Sequence, residues 1–338
     1  MKRIVFRADG SSKLGMGHIV RCLALAKYIA RECSWEIVFY SKDDPTGVKA
    51  IQNAGFPVFT IPSYISDAEA ERAFINFILS NPFDVVINDV GPTTTDYVLA
   101  IKEKGVCLVT LDDEGVGAPL ADAVICCYPV ARPNPNGYYG SKYALLRNDF
   151  LFFNNKTKVI PMTPKNILVT TGGADVDNLT QKILDALLLA QWSEDVYVVL
   201  GPAVPEDYKK TIMRSTKDDL KIKLLCDVSK MAELMFNSDM AVFCGGTTRF
   251  ELAATGTPSI ALCYNEKQNR RVKDFCKSGC CLNLGIGKEV SRKRLAAAIS
   301  DLSANYHKRL EMSTAGKRAV DGRGVERAVK IIKCACGG

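Results

Sequence analysis

Histidine is almost missing from this chain: His18 and His307 are the two imidazoles in 338 residues. A serine or cysteine triad would have to be built on one of them, and no GxSxG elbow occurs. HExxH and the P-loop pattern GxxxxGK[ST] are also absent, which removes peptidase and kinase chemistry. No stretch reaches the roughly 18 to 20 uninterrupted apolar residues of a membrane helix. The chain enters a strand at Ile4 with no apolar signal region, so a cytoplasmic protein without a membrane span is expected.

Cysteine is plentiful, at thirteen, but it sits in apolar runs such as "AVICCYP" and "AVFCGG", where a free thiol packs as a small hydrophobe. Cys276, Cys280 and Cys281, and the pair Cys334 and Cys336, lack CxxC spacing and a nearby histidine, so no metal site is expected. Free thiols and no cofactor are the expectation. The net charge of +7 is spread along the chain, which suits an anionic small ligand. No basic-aromatic motif accompanies it, so nucleic acid is not an expected partner.

What is present is alternation. "RIVFRAD", "EIVFYS", "PVFTIP", "DVVIND", "CLVTLD" and "DAVICCY" are short apolar runs separated by longer segments of helical period, the pattern of a parallel α/β sheet. "NILVTTG", "VYVVLG", "IKLLC", "MAVFCGG", "SIALCY" and "CLNLG" repeat the plan. A chain this long exceeds what one core usually serves, so two doubly wound, Rossmann-like domains are expected, at residues 1–154 and 165–338. The Asn-, Lys-, Thr- and Pro-rich segment 155–164 is the expected linker. The tail reads as helices, each with one apolar stripe.

Ligands of open parallel sheets sit beyond the carboxyl ends of the strands, and three glycine turns stand there. In "GSSKLGMGH" Gly15 and Gly17 let the backbone approach a ligand, and the helix "IVRCLALAKYIA" follows with Ile19, Cys22, Leu23 and Ala26 on one face. The spacing is GxGH, not GxGxxG, and no acid ends the second strand, so a dehydrogenase-type dinucleotide site is disfavoured. In "TTGGAD", Gly172 and Gly173 form either a plain tight turn or part of a site. In "FCGGTTRFELAATG", Gly245 and Gly246 precede a helix whose first amides attract phosphate. Thr248 and Glu251 also make the capping pattern T-x-x-E, so Glu251 either caps the helix or meets a ligand hydroxyl.

His18 lies in the first turn of its helix, where the macrodipole disfavours imidazolium and a neutral imidazole is available as a base. The alternative is that it only orders the loop. His307, in "ANYHKRLE", is expected on the surface. Asp9, Asp89, Asp112 and Asp113 all end strands. Turn capping is the favoured role for the last three, while Asp9, beside the GxGH loop, is carried forward equally as His18's companion.

Taken in order, "RADGSSKLGMGHIVRCLALA", "YALLRNDF", "TTGGADVDNLT", "CGGTTRFELAATGTPSI", Gln268 and "DGRGVERAV" resemble PseG, the UDP-2,4-diacetamido-2,4,6-trideoxy-β-L-altropyranose hydrolases of pseudaminic acid biosynthesis. They resemble equally the SpsG proteins of spore-coat polysaccharide loci. Both are relatives of MurG. The resemblance implies a GT-B architecture, two Rossmann-like domains with a cleft between them, no obligatory metal or cofactor, UDP on the C-terminal domain and the reacting sugar on the N-terminal one. It implies His18 as the catalytic histidine of GxGHxxR, with Gly15 and Gly17 shaping its loop and Arg21 on the substrate side. Gly245, Gly246, Thr247 and Thr248 match the diphosphate turn, Glu251 the ribose-binding acid and Gln268 a polar residue near the sugar phosphate.

The chain departs from the hydrolase pattern where Asp89 is followed by Val90 and Gly91 rather than His-Tyr, and again at "EGVGAPLADAVICCYP", which looks closer to SpsG. Hydrolysis of a UDP-linked deoxy-amino sugar is therefore the leading expectation. A UDP-sugar glycosyltransferase and a catalytically silent nucleotide-sugar-binding protein stand beside it, and the oligomeric state is open.

Overall fold

The computed structural model describes every residue except 12, 13, 131, 176, 217, 218, 220, 227 and 338. The chain divides into two compact units, 1–146 with 323–338, and 147–322. The first runs β1 (Arg3–Arg7), α1 (Gly17–Glu32), β2 (Glu36–Lys42), α2 (Pro45–Asn53), β3 (Val58–Ile61), α3 (Asp67–Ser80), β4 (Val85–Asn88), α4 (Thr95–Lys102), β5 (Cys107–Leu111), β6 (Ala123–Cys126) and β7 (Gly137–Tyr139). The strands form one parallel sheet in the order β3-β2-β1-β4-β5-β6-β7.

The second runs α5 (Asn148–Asn154), β8 (Asn166–Thr170), α6 (Leu179–Leu189), β9 (Asp195–Leu200), α7 (Glu206–Thr216), β10 (Ile222–Cys226), α8 (Met231–Asn237), β11 (Met240–Cys244), α9 (Thr248–Thr255), β12 (Ser259–Cys263), α10 (Glu266–Cys276), β13 (Leu282–Ile286), α11 (Arg292–Ala304) and α12 (Tyr306–Ala319). Its sheet, also parallel, has the order β10-β9-β8-β11-β12-β13. In both units the order reverses beside the first strand, between β1 and β4 and between β8 and β11, the switch point of a doubly wound sheet. This is the expected two-domain α/β fold.

Alternation along β1 explains why both faces of its sheet are covered. Ile4 and Phe6 join Ile19, Leu25 and Ile29 of α1 in one core, whereas Val5 joins Phe74 of α3 and Val98 of α4 in the other. The last helix, α13 (Gly324–Ala335), belongs to the first unit, where Val325, Ala328, Val329 and Ile332 enter the core under α1. Each such aliphatic side chain contributes about 1.5 to 3 kcal/mol by leaving water.

The unit boundary differs from the 1–154 and 165–338 division read from sequence. The polar segment 155–164 and the helix before it are held within the second unit by side-chain hydrogen bonds, among them those of Asn154, Lys158 and Arg309. The Asn154 amide donates to the Ala254 and Val320 carbonyls at 3.0 Å, Lys158 Nζ donates to the Phe236 and Ser238 carbonyls at 2.5 and 2.8 Å, and buried Arg309 donates to the Pro161 and Met162 carbonyls at 2.8 Å. A polar, proline-bearing stretch reads as a linker because composition does not reveal which carbonyls a distant cation will hold.

Cysteine supplies a second correction. Cys107 is bonded to Cys336, and Cys276 to Cys281, while the other nine are free. The first pair joins the start of β5 to the turn after α13, residues 229 apart in sequence, a proximity that spacing cannot show. No helix among the described residues is long and apolar enough to cross a membrane.

Candidate functional site

Beyond β1, Ser11 and Gly15 pair backbone to backbone, and Gly15 takes φ +85°, a conformation that favours glycine. Gly17 opens α1 and His18 follows as its second residue. Met16, at the N-cap, offers no side-chain acceptor to the first amides. His18 and Arg21, three residues apart, share one helix face, and that face meets the end of β4.

Asp89, directly after β4 and 2% exposed, accepts both side chains. His18 Nδ1 lies 2.9 Å from its Oδ1. Arg21 Nε donates to Oδ2 at 2.6 Å and Nη2 donates to Oδ1. Arg21 Nη1 donates to Asp112, which follows β5 at φ +51° and accepts the Cys127 amide at 2.9 Å. Burial would raise both carboxyls, and the Arg21 guanidinium overrides it, holding Asp89 and Asp112 below the usual carboxylate range. The Cys22 thiol, 3.3 Å from Asp89 Oδ2, is pushed well up by burial and by that charge.

A nitrogen cannot donate to a carboxylate and accept from a guanidinium at once. Arg21 Nη2 is 3.1 Å from Nδ1 but also donates to Asp89 Oδ1, and the imidazole contact to Asp89 is the shorter. We therefore assign the Nδ1 proton to Asp89, which leaves the Nε2 lone pair free. The His18 side chain is 35% exposed, so this pair is reachable from solvent.

Asp9 is elsewhere occupied. Arg7 donates to it through both terminal nitrogens, at 2.5 and 2.9 Å, and the Lys42 amide at 2.8 Å. The companion of His18 is Asp89, not Asp9. Arg21 directs Nε, Nη1 and Nη2 to the Asp89 and Asp112 carboxylates, with its side chain 11% exposed. Asp113 accepts from the Thr93 amide and hydroxyl and the Gly115 amide, a loop-ordering role. His307 is exposed on α12 and lies edge-on to Tyr306.

In the second unit Gly172 takes φ +83°, and a Cβ on Gly201 would collide with the Gly172 and Gly173 carbonyls. The start of α6 is closed by Asp175, whose carboxylate accepts the Leu179 and Thr180 amides at 2.8 and 3.1 Å. The Gly172–Gly173 turn therefore leads into a helix already capped.

The start of α9 differs. Gly245 N–H donates to the Leu262 carbonyl and Gly246 N–H to Cys244, both at 2.7 Å, and Arg249 holds the Gly245 and Gly246 carbonyls from the other side at 3.1 and 2.9 Å. The two glycines thus shape the turn without offering free donors. Thr247 occupies the N-cap in a helical conformation, φ −63° and ψ −21°, with no side-chain cap bond. In the first turn of α9 the Arg249 and Phe250 amides donate back to the Gly246 and Thr247 carbonyls at 3.4 and 2.9 Å, so what this helix start offers an anion is chiefly the positive end of its dipole. A capping box on Thr248 is not formed: Thr248 is the first helical residue, which places Glu251 one position too far along the helix. Burial instead pushes the Glu251 carboxyl up to about 7, with Arg147 opposing and Asp149 reinforcing. Gln268 Oε1 accepts the Tyr264 amide at 2.7 Å, and the Tyr264 hydroxyl donates to the Thr171 carbonyl at 2.6 Å. That chain joins the end of β12 to the turn after β8.

Sequence reasoning named His18 and the α9 turn, but gave Asp89 and Asp112 capping roles and sent Arg21 to the substrate. The available signal was the i, i+3 spacing of His18 and Arg21 beside two strand-end aspartates.

Comparison with known proteins agrees with this frame. Residues 145–267 match the model of the lipid-A-disaccharide synthetase family. The chain is 31% identical over 292 residues to an uncharacterised protein of Methanocaldococcus jannaschii, covering 81% of this chain and 58% of that one. It thus spans little more than half of that relative. SpsG, a spore coat polysaccharide biosynthesis protein of Bacillus subtilis, is 27% identical with 96% of both chains covered. The UDP-2,4-diacetamido-2,4,6-trideoxy-β-L-altropyranose hydrolase of Campylobacter jejuni is 24% identical, over 82% of this chain and 97% of that one. Among solved structures, Acinetobacter baumannii MurG superposes with a TM-score of 0.72 at 15% identity, covering 99% of this chain and all of that one. Staphylococcus aureus MnaA, solved with UDP, gives 0.71 at 13% identity, with 100% and 97% covered. The chain thus has the two-domain GT-B fold seen in MurG and is similar in sequence to SpsG and to the altropyranose hydrolase.

Proposed function

We propose that this protein hydrolyses a UDP-linked deoxy-amino sugar in nonulosonic acid or surface-polysaccharide biosynthesis. The observation that carries the reading is the His18–Asp89 pair, in which Nδ1 is tied to a buried carboxylate and Nε2 is left as a base at the sheet's switch point. His18 Nε2 takes a proton from water as the water oxygen bonds to the anomeric carbon, and the bond from that carbon to the diphosphate oxygen breaks. UDP leaves as the anion. The positive end of the α9 dipole suits the charge that develops on the diphosphate. In this reading Glu251, one turn further on, meets ribose hydroxyls and Gln268 lies near the sugar phosphate. Relatives named for UDP-sugar hydrolysis and polysaccharide synthesis support the substrate class.

The test is an NMR time course with UDP-amino-sugars and no acceptor, preceded by calorimetric titration of UDP. The expected result is UDP binding and release of free sugar, with His18→Ala slowing release by about 10² to 10⁴ while binding persists. Release that requires an added hydroxyl acceptor makes the protein a glycosyltransferase. UDP binding with no turnover of any sugar nucleotide, acceptor or not, makes it a binding protein.

A further inference from the structure

We infer that Arg21 is a positioning residue which divides the charge of Asp89, so that Asp89 fixes the direction of the His18 ring without keeping a proton on it. The inference rests on the reading of His18 as the base.

A carboxylate alone beside an imidazole favours imidazolium, and an imidazolium cannot accept a proton from water. In this site the carboxylate is shared. Asp89 Oδ1, which meets His18 at 2.9 Å, also receives Arg21 Nη2, while Oδ2 receives Arg21 Nε at 2.6 Å, and Nη2 itself stands 3.1 Å from the imidazole. The guanidinium therefore offsets at His18 the field that Asp89 creates.

Asp112 keeps Arg21 in place. It accepts Nη1, and it is anchored in turn by the Cys127 amide and thiol at 2.9 and 3.2 Å, while its carbonyl accepts the Tyr128 hydroxyl at 2.8 Å. Among the described residues, the charged and titratable groups with contacts to His18 and Arg21 or to their two carboxylates are Asp89, Asp112, Cys22 and Cys127. Both thiols are buried. With Arg21 only 11% exposed and each of its three nitrogens on a carboxylate, orientation and charge balance are what we assign to it.

The chain's two histidines make the experiment direct. Long-range proton–nitrogen NMR resolves both imidazoles, His18→Ala assigns them, and His18 is then titrated in wild type, Arg21→Gln, Arg21→Lys and Asp112→Asn. In wild type the proton of the neutral ring is expected on Nδ1. Arg21→Gln is expected to raise the His18 midpoint by about one pH unit or more, because Asp89 then acts on the ring alone. Asp112→Asn, which leaves more of the guanidinium charge to Asp89 and His18, is expected to lower it. Arg21→Lys, which keeps the charge, is expected to restore most of the Arg21→Gln shift.

A midpoint in Arg21→Gln within about 0.3 of wild type overturns the inference, as does movement of Asp112→Asn in the same direction as Arg21→Gln. If Arg21→Gln does not fold by circular dichroism, Asp112→Asn and Arg21→Lys decide: a lowered midpoint in the first and a near-wild-type one in the second uphold the inference, and any other pattern overturns it. Sugar release without acceptor is measured on the same samples. A titration pattern as expected with no release by wild type sinks the hydrolase reading and leaves the role of Arg21 standing.

Discussion

Asp89→Asn is nearly isosteric, and the geometry around Asp89 shows why it is not conservative. Oδ1 receives His18 and Arg21 Nη2, and Oδ2 receives Arg21 Nε. An asparagine must turn its NH2 toward one of these positions, and either choice points donors at the guanidinium. One orientation also faces His18 Nδ1 with a donor, which drives the ring proton to Nε2 and removes the lone pair the reaction needs. A donor–donor conflict in a buried site costs about 1 to 3 kcal/mol, and weakening a buried ion pair brings the total to about 3 to 5 kcal/mol. Because Arg21 keeps Asp112, we expect the lower end, about 3 kcal/mol, which a domain of ordinary stability survives.

Urea unfolding, followed separately by probes in the first and second units, is expected to show the loss in the first. Sugar release should fall by about 10² to 10⁴ in kcat with KM little changed, since what is lost is base catalysis and not substrate binding. A variant that keeps wild-type midpoint and wild-type kcat refutes both the tautomer assignment and the role of the pair.

Acid should destabilise the first unit first. Asp9, Asp89 and Asp112 are held below the usual carboxylate range, so their contribution is complete above the unfolded value near 4 and is lost as pH falls toward the folded values. Circular dichroism melts from pH 7 to 2 should show this, with a shallower slope in Asp9→Asn. Glu251 has the opposite sign. Its carboxyl is raised to about 7, so its ionisation penalises the fold as pH rises from the unfolded value through 7, and Glu251→Gln should stabilise the second unit at pH 8 by about 1 to 3 kcal/mol. If Glu251 also meets ribose, calorimetry on that variant should show weaker UDP binding alongside the higher melting temperature. Gly201→Ala forces a Cβ into the Gly172 and Gly173 carbonyls and should cost about 1 to 3 kcal/mol in thermal unfolding, an effect absent from Gly246→Ala in its open surroundings.

Much of the fold is legible along the chain, because each central strand of a parallel sheet must be apolar on both faces and must stop at a turn. The twelve apolar runs correspond to β1 to β6 and β8 to β13. The three-residue β7, Gly137–Tyr139, carries no such run, and its neighbours are glycine, proline and asparagine. The placement of α13 escapes as well, since its stripe of Val325, Ala328, Val329 and Ile332 states that it is buried but not under which sheet.

The site divides in the same way. His18 is visible from its position after GxG and before a helix, a purely local signal. Its partner is not, because the choice between Asp9 and Asp89 depends on which neighbour of β1 each one meets. Asp9 turns to the β2 side, where the Lys42 amide lies, while α1 carries His18 and Arg21 to the end of β4. That choice is a property of strand order. The T-x-x-E match at Thr248 misled for a related reason: the pattern is shared by residues that begin a helix and residues just inside one, and Thr247 already has helical dihedrals.

The return of α13 to the first unit bears on how the chain is made. The first unit's opening seven strands leave the ribosome early, yet the core over Ile4 and Phe6 lacks Val325, Val329 and Ile332 until the whole of 147–322 has been translated. At about 5 to 20 residues per second that interval is roughly 10 to 35 s. During it the second unit, continuous in sequence, has every residue it needs, while the first exposes the apolar surface that α13 will cover. The nascent chain should therefore fold from its middle, and the N-terminal sheet is the part a chaperone must shelter.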